Sequence, residues 1–140
     1  MQLSRRHAWF AKLDVVHYFD TIDHAVLRDQ LRRLFKDPLL LVYFDRLLDG
    51  YHGVALGRGL PIGNLSSQYF ANHYLSPADH HARRVLHAPG LVRYMDDVLL
   101  FADDRATLRR LVRDYQSYVA GTLHLAHHPV VMNRVECGCA

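Results

Sequence analysis

The stretch Tyr94-Met95-Asp96-Asp97 constrains this chain more than any other. It lies between the apolar runs Leu91-Val92 and Val98-Leu99-Leu100-Phe101, which have the Val, Leu and Phe content of buried β-strands. Joining two such strands puts Met95, Asp96 and Asp97 at the tip of a hairpin. Adjacent carboxylates with apolar flanks repel each other and lose hydration, so their pKa values rise unless a cation neutralises them. Mg²⁺ meets that need, because it takes carboxylate oxygens and keeps positions open for phosphates. A solvated Asp-Asp turn has the same residues. The rest of the chain has to decide between the two.

With 140 residues, half of them hydrophobic, one domain with a real core is expected. No stretch reaches the length of a membrane span, and Met1-Gln2-Leu3-Ser4-Arg5-Arg6-His7 lacks the apolar segment of a signal peptide. The expected location is therefore cytoplasmic, with no membrane partner. The only cysteines, Cys137 and Cys139, stand together near the end, which excludes a disulfide framework. The formal charge is +3, and Lys12 and Lys36 are the only lysines. Arginine forks suit phosphate, but so modest a charge permits a nucleic-acid partner without demanding one.

Trp9 to Val16 reads as a strand with an acid near its end. Residues Asp20 to His24 offer caps for a helix to about Lys36, with Val26, Leu27, Leu31, Leu34 and Phe35 on its apolar face. Asp37-Pro38 starts a second helix through Leu48. Gly50, Gly53, Gly57, Gly59, Pro61 and Gly63 mark an irregular segment. Helix should then run from about Asn64 to Leu86, kinked or divided at Pro77, with a turn at Pro89-Gly90. After the acidic hairpin, Leu108, Leu111, Val112 and Tyr115 give an amphipathic helix from about Asp104 to Val119. Leu123 to Val135 has weak strand character. This order implies an α+β fold, with helices on one face of a mostly antiparallel sheet. Neither end carries an obvious capping element, so the expectation is a piece of a larger protein.

Three segments carry chemistry. The first is Lys12-Leu13-Asp14-Val15-Val16-His17-Tyr18-Phe19-Asp20, where Asp14 is an acid in an apolar strand, costly unless paired or metal-bound. Alone, it is equally a structural salt-bridge partner. The second runs from Gly59 to Asn72, a glycine turn feeding a helix whose N-terminus favours anions. The third is the acidic hairpin.

Together, in this order and spacing, the three resemble motifs A, B and C of the palm of a reverse transcriptase, over nearly the whole chain from Trp9 to Gly138. The resemblance implies a partial palm over residues 1–140, without fingers or thumb, acting as an RNA-directed DNA polymerase. It places catalytic carboxylates on Asp14, Asp96 and Asp97, and puts the peptide oxygen of Val15 on a metal as well. Two Mg²⁺ ions roughly 3.5–4 Å apart would clamp the attacking primer 3′-oxygen and the leaving pyrophosphate. Phe19 falls on the aromatic gate that would exclude a ribose 2′-hydroxyl, though an ordinary core aromatic would look the same. Ile62, Gly63 and Gln68 would shape the nucleotide and template pocket. The implied partners are an RNA template, a DNA or RNA primer, dNTPs and an accessory protein.

Motif B departs from the common pattern of Gln-Gly, three residues and Ser-Pro. Ile62-Gly63-Asn64-Leu65-Ser66-Ser67-Gln68 puts a branched apolar residue before the glycine and ends in Ser-Gln, as do reverse transcriptases of diversity-generating retroelements. That implies a bacterial or phage context. Group II intron and retron enzymes, and a non-catalytic palm remnant, are the competing readings. The family's later lysine, a general acid after a Leu-x-Leu stretch, has no counterpart in Leu123-His124-Leu125-Ala126-His127-His128-Pro129. That role is empty or falls to a histidine. Gly138 matches the start of a later motif. His124, His127, His128, Cys137 and Cys139 fit no standard zinc spacing. His80-His81 and Arg83-Arg84 read as a solvated helix face.

Overall fold

The computed structural model describes residues 6–51, 53 and 55–137. Met1 to Arg5, Gly138 and Cys139 lie outside them, so the readings that rest on the start of the chain and on Gly138 and Cys139 are left there. The apolar segments singled out above pair into a four-stranded antiparallel sheet: β1 (Trp9–Leu13), β2 (Gly90–Tyr94), β3 (Asp97–Ala102) and β4 (Val131–Arg134). The order across the sheet is β2-β3-β1-β4.

Register decides which side chains face the helices. Leu13 stands opposite Val98 and Ala11 opposite Leu100, with Leu91 opposite Leu100 from the other side. Opposed residues share a face, so this set forms the buried floor. On the other face Phe10 and Phe101 pair and are buried, whereas Lys12, Tyr94 and Asp97 are exposed.

The helices are α1 (Tyr18–Thr21), α2 (His24–Leu34), α3 (Pro38–Asp49), α4 (Leu65–Tyr74), α5 (Ser76–Arg84) and α6 (Arg105–Leu123). Helix α6 packs on β1 and β3, and α5 packs on β2 and α6. Capping explains the starts. Asp23 accepts from the Ala25 and Val26 amides, Asp37 from those of Leu39 and Leu40, and Asp104 from that of Thr107. Pro77 divides the long helical stretch as expected and sits in the first turn of α5, where its missing N–H costs nothing.

Four local expectations need correction. Strand β1 stops at Leu13, so Asp14 is the first residue beyond it rather than one within it. The one-turn α1 was not foreseen; the Tyr18 hydroxyl donates to the Ala71 carbonyl of α4 and holds it there. Helix α6 runs to Leu123, one turn beyond Val119, where His124 closes it in the left-handed conformation. The Leu123 carbonyl accepts from Tyr74 Oη at 2.5 Å, which rewards that extra turn. His81 is only partly exposed, its ring stacked on Tyr118 with centroids 4.1 Å apart, while His80, Arg83 and Arg84 are exposed.

Candidate active site

The hairpin turn has two residues, Met95 and Asp96. Tyr94 pairs with Asp97, so Asp97 is the first residue of β3 and not part of the tip. Met95 has φ 55, the positive value that hairpin turns favour and that an L-residue adopts at a cost. Because Leu13 pairs with Val98, the chain leaving β1 emerges beside this tip and delivers Asp14 to it.

Burial pushes the Asp96 carboxyl above the usual range. The Asp14 carboxylate acts in the same direction through its charge and a side-chain contact, and the Asp97 charge adds to it. The fold thus brings Asp14 and Asp96 together with Asp97 close by. They do not form a finished chelate. Among the described residues, no three His, Cys, Asp or Glu side chains are gathered closely enough to hold an ion. The exposed position of Asp97 at the head of β3 accounts for the looser third member.

Val15 makes an isolated antiparallel bridge with His127. The bonds that bracket it run from the Val16 amide to the Ala126 carbonyl (2.8 Å) and from the His128 amide to the Asp14 carbonyl (2.9 Å). Alternation then turns Val15's own peptide groups away from His127, toward the β3 side. Its carbonyl accepts no backbone bond from the described residues. His127 Nε2 is buried without a partner among the described residues. Burial holds the pKa of His127 below its ordinary value, against the pull of the Asp14 charge.

Motif B enters α4 through Gly63, at φ 86, with nothing within 4 Å of a would-be Cβ. Glycine is there for backbone conformation, not for close approach to protein. Asn64 then caps α4 by accepting from the Ser66 amide at 3.0 Å. Upstream, the Leu60 amide donates to the Phe19 carbonyl (2.7 Å) and the Gly59 amide to the Ile22 carbonyl (2.8 Å), tying motif B to motif A.

A groove between α4 and the hairpin is lined by Leu65, Gln68, Asn72, Arg93 and Met95, so Gln68 sits beside the carboxylate tip. Phe19, Ile62 and Gly63 do not line it. Phe19 is half-buried, with its ring edge-on to Tyr18 at 5.8 Å. Ile62 is 80 % exposed, so it does not pack beneath the motif B turn.

The family model described as reverse transcriptase (RNA-dependent DNA polymerase) matches residues 1–123. The chain belongs to the reverse transcriptase family. A search of the curated proteins matches none. The α+β architecture, with its antiparallel sheet and packed helices, is that of a reverse transcriptase palm. Reverse transcriptases are nucleotidyltransferases that act on nucleic-acid template and primer with nucleotide substrates, and they generally use divalent metals. No helix among the described residues is long and apolar enough to cross a membrane.

Sequence reasoning passed over one residue of this candidate site, Arg93, although the warrant applied to Asp14 covers it. A charge between Val92 and Tyr94 in a hairpin strand is costly unless it is met.

Proposed function

We propose that this chain is the palm of an RNA-directed DNA polymerase that joins a dNTP to a primer 3′-hydroxyl through two Mg²⁺ ions. The observation that carries the reading is the Asp14–Asp96 pair, two carboxylates forced together at one end of the sheet beside an open groove. Such a pair is unfavourable on its own and gains from a divalent cation, so the donor set fits the metal. Asp14, Asp96 and the Val15 carbonyl would hold the metal, and Asp97 would add to the negative field. When bound, the metal supplies charge neutralisation for the triphosphate and acidifies the primer hydroxyl.

The chain's own residues orient the reactants. Gln68 lines the groove together with Met95, and the roles assigned to Phe19 as gate for the sugar and to Ile62 and Gly63 at the approach to α4 rest on the resemblance of motifs A and B. Catalysis of this kind is mostly positioning. The groove is walled by α4 and the hairpin alone, so residues 1–140 by themselves should extend a primer poorly. Ile62 before Gly63, followed by Ser67-Gln68, favours the diversity-generating type of bacteria or phage over the intron and retron types.

The test is Mn²⁺ binding to the 140-residue chain, alongside primer extension by a full-length polymerase that carries it. Asp14→Asn and Asp96→Asn should each weaken Mn²⁺ binding and abolish extension. Mn²⁺ affinity indifferent to both substitutions would sink the reading.

A further inference from the structure

Arg93 has only 10 % of its side chain exposed, and Asp79, its counter-charge on α5, has 16 %. The guanidinium is satisfied from four directions. Nε donates to both Asp79 carboxylate oxygens, at 3.0 and 2.9 Å. Nη2 lies 2.8 Å from Asp79 Oδ2 and donates to the Asn72 carbonyl at 3.1 Å. Nη1 donates at 2.8 Å to Asn72 Oδ1 and at 2.8 Å to the Met95 carbonyl. One side chain thereby joins β2, the hairpin turn, α4 and α5.

We infer that Arg93 is a positioning residue, which fixes the aim of Asp96 and the placement of the α4 groove relative to it. This rests on the metal-site reading above. The Met95 carbonyl belongs to the peptide that leads into Asp96, so gripping it sets the plane from which the Asp96 side chain departs. The grip also steadies a left-handed Met95, a conformation that costs an L-residue roughly 1–2 kcal/mol. On the other side, Asn72 stands one helical turn beyond Gln68, and both line the groove with Arg93 and Met95. The carboxylates and the groove amide are therefore referenced to a single planar group. A fork with five fixed donors can hold Asp79, Asn72 and Met95 at once, whereas the point charge of lysine cannot.

The experiment compares Arg93→Lys, Asn72→Ala and Asp96→Asn in the 140-residue chain. Amide exchange by NMR reads the hairpin turn, and titration with Mn²⁺ reads the site. Arg93→Lys should speed exchange at Asp96 and Asp97 while leaving Leu100 unchanged, and weaken Mn²⁺ binding about tenfold, as removal of groups that orient metal ligands does. Asn72→Ala, at an exposed position, keeps the fold if Arg93→Lys does not, and should shift both readouts the same way by less.

Unchanged exchange at the turn in both variants, or faster exchange at the turn and Leu100 together, overturns the inference. So does a loosened turn with unaltered Mn²⁺ affinity, provided Asp96→Asn abolishes binding. If Asp96→Asn leaves Mn²⁺ binding intact, the metal reading fails by itself, and exchange at the turn alone decides Arg93.

Discussion

Leu13 and Val98 are fully buried beneath the carboxylate end of the sheet, whereas Ile62 and Leu65, flanking the entry to α4, are 80 % and 81 % exposed. Both regions belong to one proposed centre, yet they are held in different ways. The carboxylates are placed by strand register and a packed floor, so their geometry follows from the folding of this chain. The motif B entry is held by backbone bonds at Gly59 and Leu60 and by the Asn64 cap, while the Ile62 and Leu65 side chains stand exposed. Charge repulsion is enforced where the scaffold is rigid, and shape recognition is left to side chains that meet their partner only when it binds.

Substituting a carboxylate breaks the first region chemically without disturbing its scaffold. Asp96→Asn should lower extension by a full-length polymerase by at least about 10²-fold, the scale of losing one charge-stabilising group. The same change should stabilise the metal-free chain at neutral pH. Because the folded-state pKa of Asp96 is raised, the protonated form is favoured by folding. That contribution is present below the unfolded-state pKa and is lost as pH rises through the raised one. Melting temperatures against pH should show the Asn variant gaining on the parent across that window. Mn²⁺ affinity of the parent should strengthen over the same window as the competing proton leaves.

A pair of truncations separates the regions by packing. Leu100→Ala, in the buried floor, should cost about 2–5 kcal/mol in urea unfolding. Leu65→Ala should stay within about 0.5 kcal/mol of the parent. Similar losses at the two positions would dissolve the contrast.

What the sequence disclosed follows the same division. The hairpin, the caps at Asp23, Asp37 and Asp104, and the break at Pro77 are local signals and were legible. Tertiary contacts decided the rest. Tyr18 ties helix α1 to Ala71 of α4, and Tyr74 of α4 ties the last turn of α6 at Leu123. His81 stacks on Tyr118, which no periodicity encodes. The placement of Asp97 in β3 depends on a two-residue turn, and that in turn depends on a left-handed Met95. Asp14 and Asp96 were legible as costly acids, but their nearness is a matter of register. Arg93 was equally costly on paper and went unnoticed, because nothing local reveals its partners Asn72 and Asp79.

Gly63 offers a smaller probe of the motif B side. Its φ of 86 lies where L-residues are strained, and no atom lies within 4 Å of an added Cβ. Gly63→Ala should therefore cost roughly 1–2 kcal/mol from backbone strain alone, with no steric component. A larger loss in denaturant melts would mean that the turn is packed more tightly than the carboxylate comparison allows.

The smallest expected effect is on fidelity, at Ile62. With its side chain in the open, Ile62→Gln should leave stability within about 0.5 kcal/mol of the parent. The glutamine of the common pattern can donate and accept hydrogen bonds beside an incoming nucleotide, whereas isoleucine offers only shape and dispersion. Right and wrong nucleotides then differ less in transition-state binding. One such bond is worth on the order of 1 kcal/mol, a several-fold change in misincorporation. In a full-length polymerase carrying this domain, Ile62→Gln should lower errors, most of all opposite template adenine as the resemblance to diversity-generating enzymes implies. Sequencing cDNA from both enzymes measures it. Equal error spectra would remove Ile62 from the nucleotide pocket and leave the exposed entry to α4 without a role in selection.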